Sequence, residues 1–149
     1  TFEQLKKNKK INNIKNIRLY NLALSDEKKN IKMWVSDKNK TGGYSVYDKR
    51  DEELTKYNAE KIIKTKSECD LGDHIMNFKK KKIAIKIDVE RHEKKVLIGL
   101  DNILKKNKVI VQIELFDKRK KEIFEHLIKN NYIHFNTIKK DYYFKNFES

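Results

Sequence analysis

The stretch from Lys81 to Leu115 constrains the fold more than any other part of the chain. Residues 83–89 and 109–115 are two nearly continuous apolar runs. Between them, over 91–106, apolar side chains recur at helical spacing and form one face, at Val96, Leu97, Leu100, Ile103 and Leu104. This order predicts a strand, a helix and a second strand, with the two strands parallel and interior to a sheet.

Shorter patterns predict the remaining elements. They are a helix over 2–12, a well-buried strand over 17–24, a half-buried strand over 31–35, a short strand over 61–66, helices over 70–78 and 117–130, and a hairpin over 133–147. Phe78 and Ile128 are expected to point inward, and Asp117 is expected to cap the helix that it begins. Alternating strands and helices in 149 residues predict one α/β domain.

The strongly basic composition has two interpretations. The net charge is +14, from 36 Lys and Arg against 22 Asp and Glu. Such a charge is typical of proteins that bind nucleic acid or another anionic polymer. However, the chain has no Pro, only 4 Gly and many Lys, Asn and Ile, as an AT-rich coding sequence would produce. The lysines are also dispersed along the chain, so nucleic acid is the less favoured partner.

The number of cysteines, the spacing of the histidines and the length of the apolar runs argue against disulfides, metal sites and membrane spans. Cys69 is the only cysteine, so neither an internal disulfide nor a cysteine-based zinc site is expected. The four histidines lack the spacing of metal ligands, so we predict no metal site. No apolar run is long enough to span a membrane, and no signal peptide is visible, which favours a cytoplasmic protein.

Three acids stand where the two parallel strands are predicted to end. Asp88 and Glu90 follow the first strand, and Glu114 ends the second. They could cap the following helices and favour the positive ends of the helix dipoles. They could also contact a ligand, because ligands bind at the carboxyl ends of strands in open α/β sheets. Three acids on one edge favour ligand binding.

The same residues carry a resemblance to a known family. The segment "IKIDVERHEKKVLIGL" resembles the "KIDVEGxExxVLxGA" signature of FkbM-type methyltransferases, which use S-adenosylmethionine. The segments "LALSD" at 22–26 and "TGGYSV" at 41–46 are also similar to that family. The resemblance implies a class I methyltransferase fold, with a Rossmann-like, open and mostly parallel sheet that ends in an antiparallel hairpin. Residues 17–24, 83–89 and 109–115 would be its third, fourth and fifth strands.

The resemblance also implies roles for individual residues. Ala23, Leu24 and Ser25 would lie beside the adenine of the cofactor, and Asp88 beside its methionine moiety and the acceptor. The expected reaction is O-methylation of a hydroxyl on a sugar, glycan or related metabolite. Asp88 is the first candidate for the base, followed by Glu90 and then His92, which is expected to be solvated. Arg91 and Glu114 are the candidates for holding the acceptor.

The sequence departs from the family at two places. Arg91 stands where the family usually has Gly, and an ordinary right-handed helix start is expected there, with Arg91 paired to Glu90 or Glu93 or to an anionic acceptor group. The glycine-rich loop and the ribose-binding acid are also absent from 1–149. We therefore expect a partial domain that is inactive alone and binds S-adenosylmethionine weakly. The alternatives are a non-catalytic anionic-polymer binder and an inactive remnant.

Overall fold

The structure is a computed structural model that describes residues 2–35, 45–46 and 63–148. Within these ranges the chain forms a mixed α/β fold whose sheets contain parallel and antiparallel strand pairs. The glycines of the "TGGYSV" segment, at 42 and 43, lie outside the described residues.

The described residues contain five helices and eight strands. In chain order they are α1 (Phe2–Ile11), β1 (Ala23–Leu24), β2 (Lys29–Val35), β3 (Ser45–Val46), β4 (Ile63–Asp70), α2 (Gly72–Ile75), β5 (Lys82–Ile87), α3 (Glu93–Gly99), α4 (Asp101–Lys106), β6 (Lys108–Glu114), α5 (Asp117–Lys129), β7 (Ile133–Ile138) and β8 (Asp141–Lys145). The strands are divided between two four-stranded sheets, in the orders β1-β4-β2-β3 and β5-β6-β8-β7.

The first sheet corrects the prediction for 17–24. Only Ala23 and Leu24 are in a strand, and they pair in parallel with the end of β4. Ile17 and Tyr20 are exposed, so the predicted burial of this segment is wrong. A strand needs a neighbour to pair with, and among the described strands only β4 pairs with this segment, at these two residues. The strand predicted over 31–35 is confirmed as β2. The short strand predicted over 61–66 is present from Ile63 as β4 and extends to Asp70, while 61 and 62 lie outside the described residues.

The second sheet contains the predicted parallel pair and the predicted hairpin. β5 and β6 run parallel in register from Lys82↔Lys108 to Ile87↔Ile113. β7 and β8 form an antiparallel hairpin, and β8 pairs with β6. However, β5 lies at the end of this sheet, so its predicted interior position is wrong for the described residues. Only two of the six described strand pairs are parallel, so the expectation of a mostly parallel sheet is also wrong there.

The core is built on one face of the second sheet. The inner sides of β5, β6 and β8 and the buried sides of α3, α4 and α5 contribute to a single apolar cluster. Its fully enclosed side chains are Leu97, Val109, Val111, Ile113, Ile123, Leu127 and Phe144. Alternation along β6 places Val109, Val111 and Ile113 inward, while Lys108 on the opposite face is exposed.

The helix predicted over 91–106 is divided into α3 and α4, which meet at Leu100. The predicted apolar face is confirmed, since all five of its residues are buried. A separate capping interaction explains the division, because the Asp73 carboxylate accepts hydrogen bonds from the backbone N–H groups of Asn102, at 2.7 Å, and Ile103, at 2.9 Å.

The other two helices are also shorter or differently placed than predicted. The helix over 70–78 is reduced to the single turn of α2, because the backbone becomes extended at Met76, and Phe78 is exposed. The residue that precedes α5 as its N-cap is Phe116 rather than Asp117, and Ile128 is exposed. The apolar stripe of α5 is therefore narrower than predicted.

Candidate active site

The acids predicted to share an edge do share it. The register pair Ile87↔Ile113 ends the parallel ladder between β5 and β6. Asp88 immediately follows β5, and Glu114 is the last residue of β6. Glu90 lies two residues beyond Asp88 in the turn before α3. We call Asp88, Glu90 and Glu114 the acidic rim.

The acidic rim concentrates negative charge. Burial and the nearby carboxylates of Asp88, Glu90 and Asp141 raise the pKa of Glu114 above its usual value. Asp141 belongs to β8 and lies opposite Glu114 in the ladder. Asp88 is exposed and accepts a hydrogen bond from Lys86 Nζ at 2.8 Å, and this contact raises the pKa of Lys86. The edge can therefore attract a cation, and Glu114 takes up a proton more readily than an isolated glutamate.

The turn between Asp88 and α3 has an unusual backbone. Glu90 has φ 45° and Arg91 has φ 76°, both in the left-handed region. The expected right-handed helix start at Arg91 is therefore wrong. The Arg91 N–H donates a hydrogen bond to Glu93 Oε1 at 2.8 Å, and its carbonyl accepts one from the Arg119 guanidinium. Glu93 is buried, so its carboxylate is held in place by the surrounding residues. The two hydrogen bonds therefore hold the turn in a conformation that glycine adopts more easily.

The segment predicted to lie beside the cofactor ends in a buried polar contact. Ala23 and Leu24 are half-buried, whereas Ser25 is completely buried. The Ser25 hydroxyl donates a hydrogen bond to Asp26 Oδ1 at 2.9 Å. Ser25 Oγ also lies 3.0 Å from His92 Nε2. Residues 67 positions apart in the sequence, from the two segments that carry the family resemblance, are thus in direct contact.

His92 was expected to be solvated, and this expectation is wrong. Only 9% of its surface is exposed, because it precedes α3 and is covered by the Ser25 segment. Burial lowers the pKa of His92 below its usual value, and the nearby Lys95 ammonium acts in the same direction. The imidazole is therefore neutral at pH 7.

Gly99 provides a second contact with the same segment. A Cβ at Gly99 would lie 1.9 Å from the Ser25 carbonyl oxygen, so only glycine allows this approach. His92 and Gly99 are seven positions apart, which is two helical turns. Both ends of α3 therefore contact Ser25, His92 through its ring and Gly99 through its backbone.

Two residues of this arrangement were missed from the sequence, and a third was given a different role. Asp26 and Gly99 lie in the resembling segments but were not predicted to belong to the site, and Glu93 was predicted only as one of two acids that Arg91 would pair with. Their signal was present, because Glu93 and Gly99 occupy the second Glu and the Gly of the "DVEGxExxVLxG" pattern. Asp26 ends the "ALSD" segment.

Two further properties concern the described part of the chain. Among residues 2–35, 45–46 and 63–148, no group of three or more acidic, histidine or cysteine side chains could hold a metal ion. No helix in these ranges has the length and apolar character needed to cross a bilayer.

The chain was compared with models of known protein families, with curated proteins and with solved structures. A family model described as "Methyltransferase FkbM domain" matches residues 1–137. No curated protein and no solved structure matches the chain. The matched residues make up most of the chain and include the acidic rim, the left-handed turn and the contact between Ser25 and His92. The chain therefore belongs to the FkbM methyltransferase family.

Proposed function

We propose that the chain takes part in S-adenosylmethionine-dependent methylation of a hydroxyl on a sugar, glycan or related metabolite. The observation that carries the proposal is the acidic rim of a chain from a methyltransferase family, at the carboxyl ends of two parallel strands. This is where open α/β sheets bind ligands. The proposed fold is the class I methyltransferase sheet, of which β5, β6 and the hairpin would form one end.

The charge of the acidic rim suits the proposed cofactor. S-adenosylmethionine, when bound, supplies an electrophilic methyl group on a positively charged sulfonium. Burial and the nearby carboxylates of Asp88 and Glu90 raise the pKa of Glu114, and these carboxylates give the rim a negative local potential. Such a potential favours a cation, so the donor set fits the group. Ala23, Leu24 and Ser25 are proposed to contact its adenine through the backbone, because the Ser25 side chain is buried.

The side chains of the acidic rim would orient the acceptor and remove its proton. Asp88 is exposed and can accept a hydrogen bond from an acceptor hydroxyl. As the acceptor oxygen bonds to the methyl carbon, the carbon–sulfur bond of the donor would break and leave a neutral thioether. The hydroxyl proton would pass to a carboxylate, for which Asp88 is the first candidate and Glu90 the second. Glu114, with its raised pKa, would hold a second hydroxyl, and Arg91 would hold an anionic group of the acceptor.

Cofactor binding is the first experiment. Calorimetric titration with S-adenosylmethionine should be run on residues 1–149 and on the protein with any coding sequence that precedes Thr1. We expect weak binding by residues 1–149, because the glycine-rich loop is absent from them. Binding by the longer protein, with transfer of labelled methyl to a glycan hydroxyl, would support the proposal. No binding and no transfer by either protein would favour an inactive remnant.

Asp88→Asn tests the proposed base in the active protein. The variant keeps the shape of the side chain but loses its charge and basicity, so we expect a rate loss of about 10²-fold or more with little change in stability. Asp101→Asn is the matched control, since Asp101 is another partly exposed acid with a lysine partner, Lys105 at 2.8 Å. Wild-type rates for Asp88→Asn would leave Asp88 with a structural role alone.

A second candidate function has one structural observation in its favour. The outer face of the second sheet carries Phe135 and Tyr143 in edge contact, with ring centroids 6.2 Å apart. Lys145 Nζ lies 5.5 Å from the Phe135 ring, and Lys82 and Lys108 are paired on the same sheet. Aromatic rings beside lysines on a sheet face can stack bases of a single-stranded nucleic acid.

Salt dependence separates this candidate from the methyltransferase. Nucleic-acid binding should weaken steeply with salt, because phosphate contacts release counterions. Fluorescence anisotropy with labelled single-stranded RNA should then show an affinity that Phe135→Ala lowers about tenfold. Flat and weak binding at physiological salt, unchanged in Phe135→Ala, would remove this candidate.

A further inference from the structure

The contact between Ser25 and His92 has an assignable proton arrangement. A serine hydroxyl has one hydrogen, and here it is donated to the Asp26 carboxylate, which can only accept while ionised. The bond at 3.0 Å to His92 must then be donated by His92 Nε2–H. The neutral ring therefore carries its proton on Nε2, and the three groups form a directional chain from His92 to Ser25 to Asp26.

The surroundings of Asp26 keep its carboxylate ionised, which maintains the direction of these hydrogen bonds. Burial acts to raise the pKa of Asp26, but the hydrogen bond from Ser25, a backbone N–H and the ammonium groups of Lys95 and Lys29 outweigh it and lower that pKa. Asp26 is therefore ionised at neutral pH and remains an acceptor. Lys95 Nζ lies 3.7 Å from the Asp26 carboxylate and completes the charge balance.

The hydrogen bonds from His92 to Ser25 and from Ser25 to Asp26 connect a segment next to the first sheet with a turn next to the second. Ser25 directly follows β1, and its N–H donates to the Asp70 carbonyl at the end of β4. His92 directly follows Arg91, the second left-handed residue of the turn from the acidic rim. The absence of a Cβ at Gly99 allows the Ser25 backbone to lie directly against α3, so Ser25 contacts both His92 and the end of this helix.

We propose that His92 is a positioning residue that sets the distance between the segment Ala23–Ser25 and the turn Asp88–Arg91. This rests on the proposed function, in which the first segment contacts the adenine and the turn contacts the reacting groups. His92 need not touch either ligand. It connects the segment and the turn through a single hydrogen bond to a side chain that is itself completely buried.

Nuclear magnetic resonance on residues 1–149 tests the connection without any ligand. Ser25→Ala removes the acceptor of the His92 bond, and we expect the amide signals of Glu90 and Arg91 to shift. His92→Leu, which keeps volume but removes the donor, should shift the amides of Leu24 and Asp26. His92→Gln should restore most of the wild-type positions, because its side-chain amide can donate in the place of Nε2–H.

The matched control is His126→Leu, a half-buried histidine on α5 whose pKa is also lowered by burial. It should leave the amides of both segments in place. In the wild type, the nitrogen signals of His92 should show a protonated Nε2. A proton on Nδ1, or unshifted Glu90 and Arg91 amides in Ser25→Ala, would overturn the proposal.

The functional test measures KM and kcat in the form of the protein that binds S-adenosylmethionine. His92→Leu should raise its KM for S-adenosylmethionine about tenfold, the change that corresponds to one lost hydrogen bond, with kcat within about twofold. His92→Gln should recover most of the affinity. A fall in kcat at unchanged KM would overturn the positioning role. If no form of the protein binds the cofactor, the proposed function fails, and the resonance shifts still decide whether His92 connects the two segments.

Discussion

The two sheets are stabilised in different ways. The second sheet is one side of a continuous apolar core, and polar side chains fasten the ends of its helices. For example, Asn146 donates hydrogen bonds to the carbonyls of Leu104, at 3.0 Å, and Asn107, at 2.9 Å. Tyr132 OH donates to the same Leu104 carbonyl at 3.0 Å. The carbonyls at the end of α4 are therefore satisfied by residues from the C-terminal hairpin region.

The first sheet has a far smaller share of the described core. Its buried apolar residues among those described are Ile31 and Cys69, and it adds the buried polar Ser25. We call this sheet the first half of the molecule, and the second sheet with α3, α4 and α5 the second half. The first half contacts the second through Ser25 and through Leu24, which packs against the core cluster. The comparison indicates that the second half folds around its own core, whereas the first is positioned by a few specific contacts with α3. Those contacts lie beside the candidate active site.

The largest effect is expected in the second half. Phe144 is completely buried, so Phe144→Ala should lower the free energy of unfolding by about 3–5 kcal/mol, through lost burial and the cavity that remains. The control is Phe135→Ala on the neighbouring strand β7, whose ring is 46% exposed and which should cost about 0.5 kcal/mol or less. Urea unfolding measures both. Equal losses would contradict the assigned faces of this sheet.

The contact between the halves should be broken by Gly99→Ala. The new Cβ would overlap the Ser25 carbonyl, and a backbone atom cannot move aside cheaply, so we expect a loss of about 1–3 kcal/mol despite the better helix propensity of alanine. In hydrogen exchange, the Ser25 amide should lose protection while the amides of β6 keep theirs.

Gly72→Ala is the matched variant for that test. Its Cβ would lie 2.3 Å from Leu100 Cδ2, the end of a side chain that can change rotamer, so its cost should be smaller. A stabilised Gly99→Ala protein, or an equal loss of protection in both sheets, would show that Ser25 and α3 are not held together as described.

Acidification should weaken the same contact. The pKa of His92 in the folded state is lowered from its usual 6.5, so as the pH falls past 6.5 the unfolded chain takes up the proton first. The contribution of neutral His92 to stability is therefore complete above that range and is lost as the pH falls toward the folded-state pKa. Urea unfolding between pH 8 and pH 5 should show this decrease, and His92→Gln should reduce it.

His126 must be separated from this effect, since its pKa is also lowered by burial. His126→Gln should remove its own share of the pH dependence without altering protection of the Ser25 amide. A stability that stays flat from pH 8 to pH 5 in the wild type would contradict the burial of both histidines.

The sequence predicted the second half well and the first half poorly, for a physical reason. The strands β5 and β6 and the apolar face of α3 and α4 follow from periodic patterns contained within each segment. The strand over 17–24 depends on its neighbour, and only two of its residues find one among the described strands. Hydrophobicity alone could not show where that pairing stops.

The same distinction between local patterns and distant contacts applies to the candidate site. The acidic rim could be predicted, because two parallel strands in register bring Asp88 and Glu114 to one edge. The burial of His92 could not, since its covering residue, Ser25, lies 67 positions away. The left-handed turn at Arg91 was signalled only by the Gly that the family has there. The roles of these residues in catalysis stay predictions.

Arg91→Gly is expected to have the smallest effect and concerns the turn where the two halves meet. At φ 76°, a residue with a Cβ carries a strain of about 1–2 kcal/mol, while glycine adds about 0.5–1 kcal/mol of backbone entropy to the unfolded chain. The entropy term offsets about half of the strain, so the gain in stability should be about 0.5–1 kcal/mol. Lys80→Gly is the control, because Lys80 has φ 54° in an exposed turn away from the acidic rim. Both variants should gain similarly in urea unfolding. Lys80→Gly should leave catalysis unchanged, whereas Arg91→Gly removes the guanidinium proposed to hold the acceptor. Methyl transfer to the natural acceptor should stay level or fall. A tenfold rise would show instead that Arg91 impairs the site, and that glycine serves this turn better for catalysis as well as for conformation.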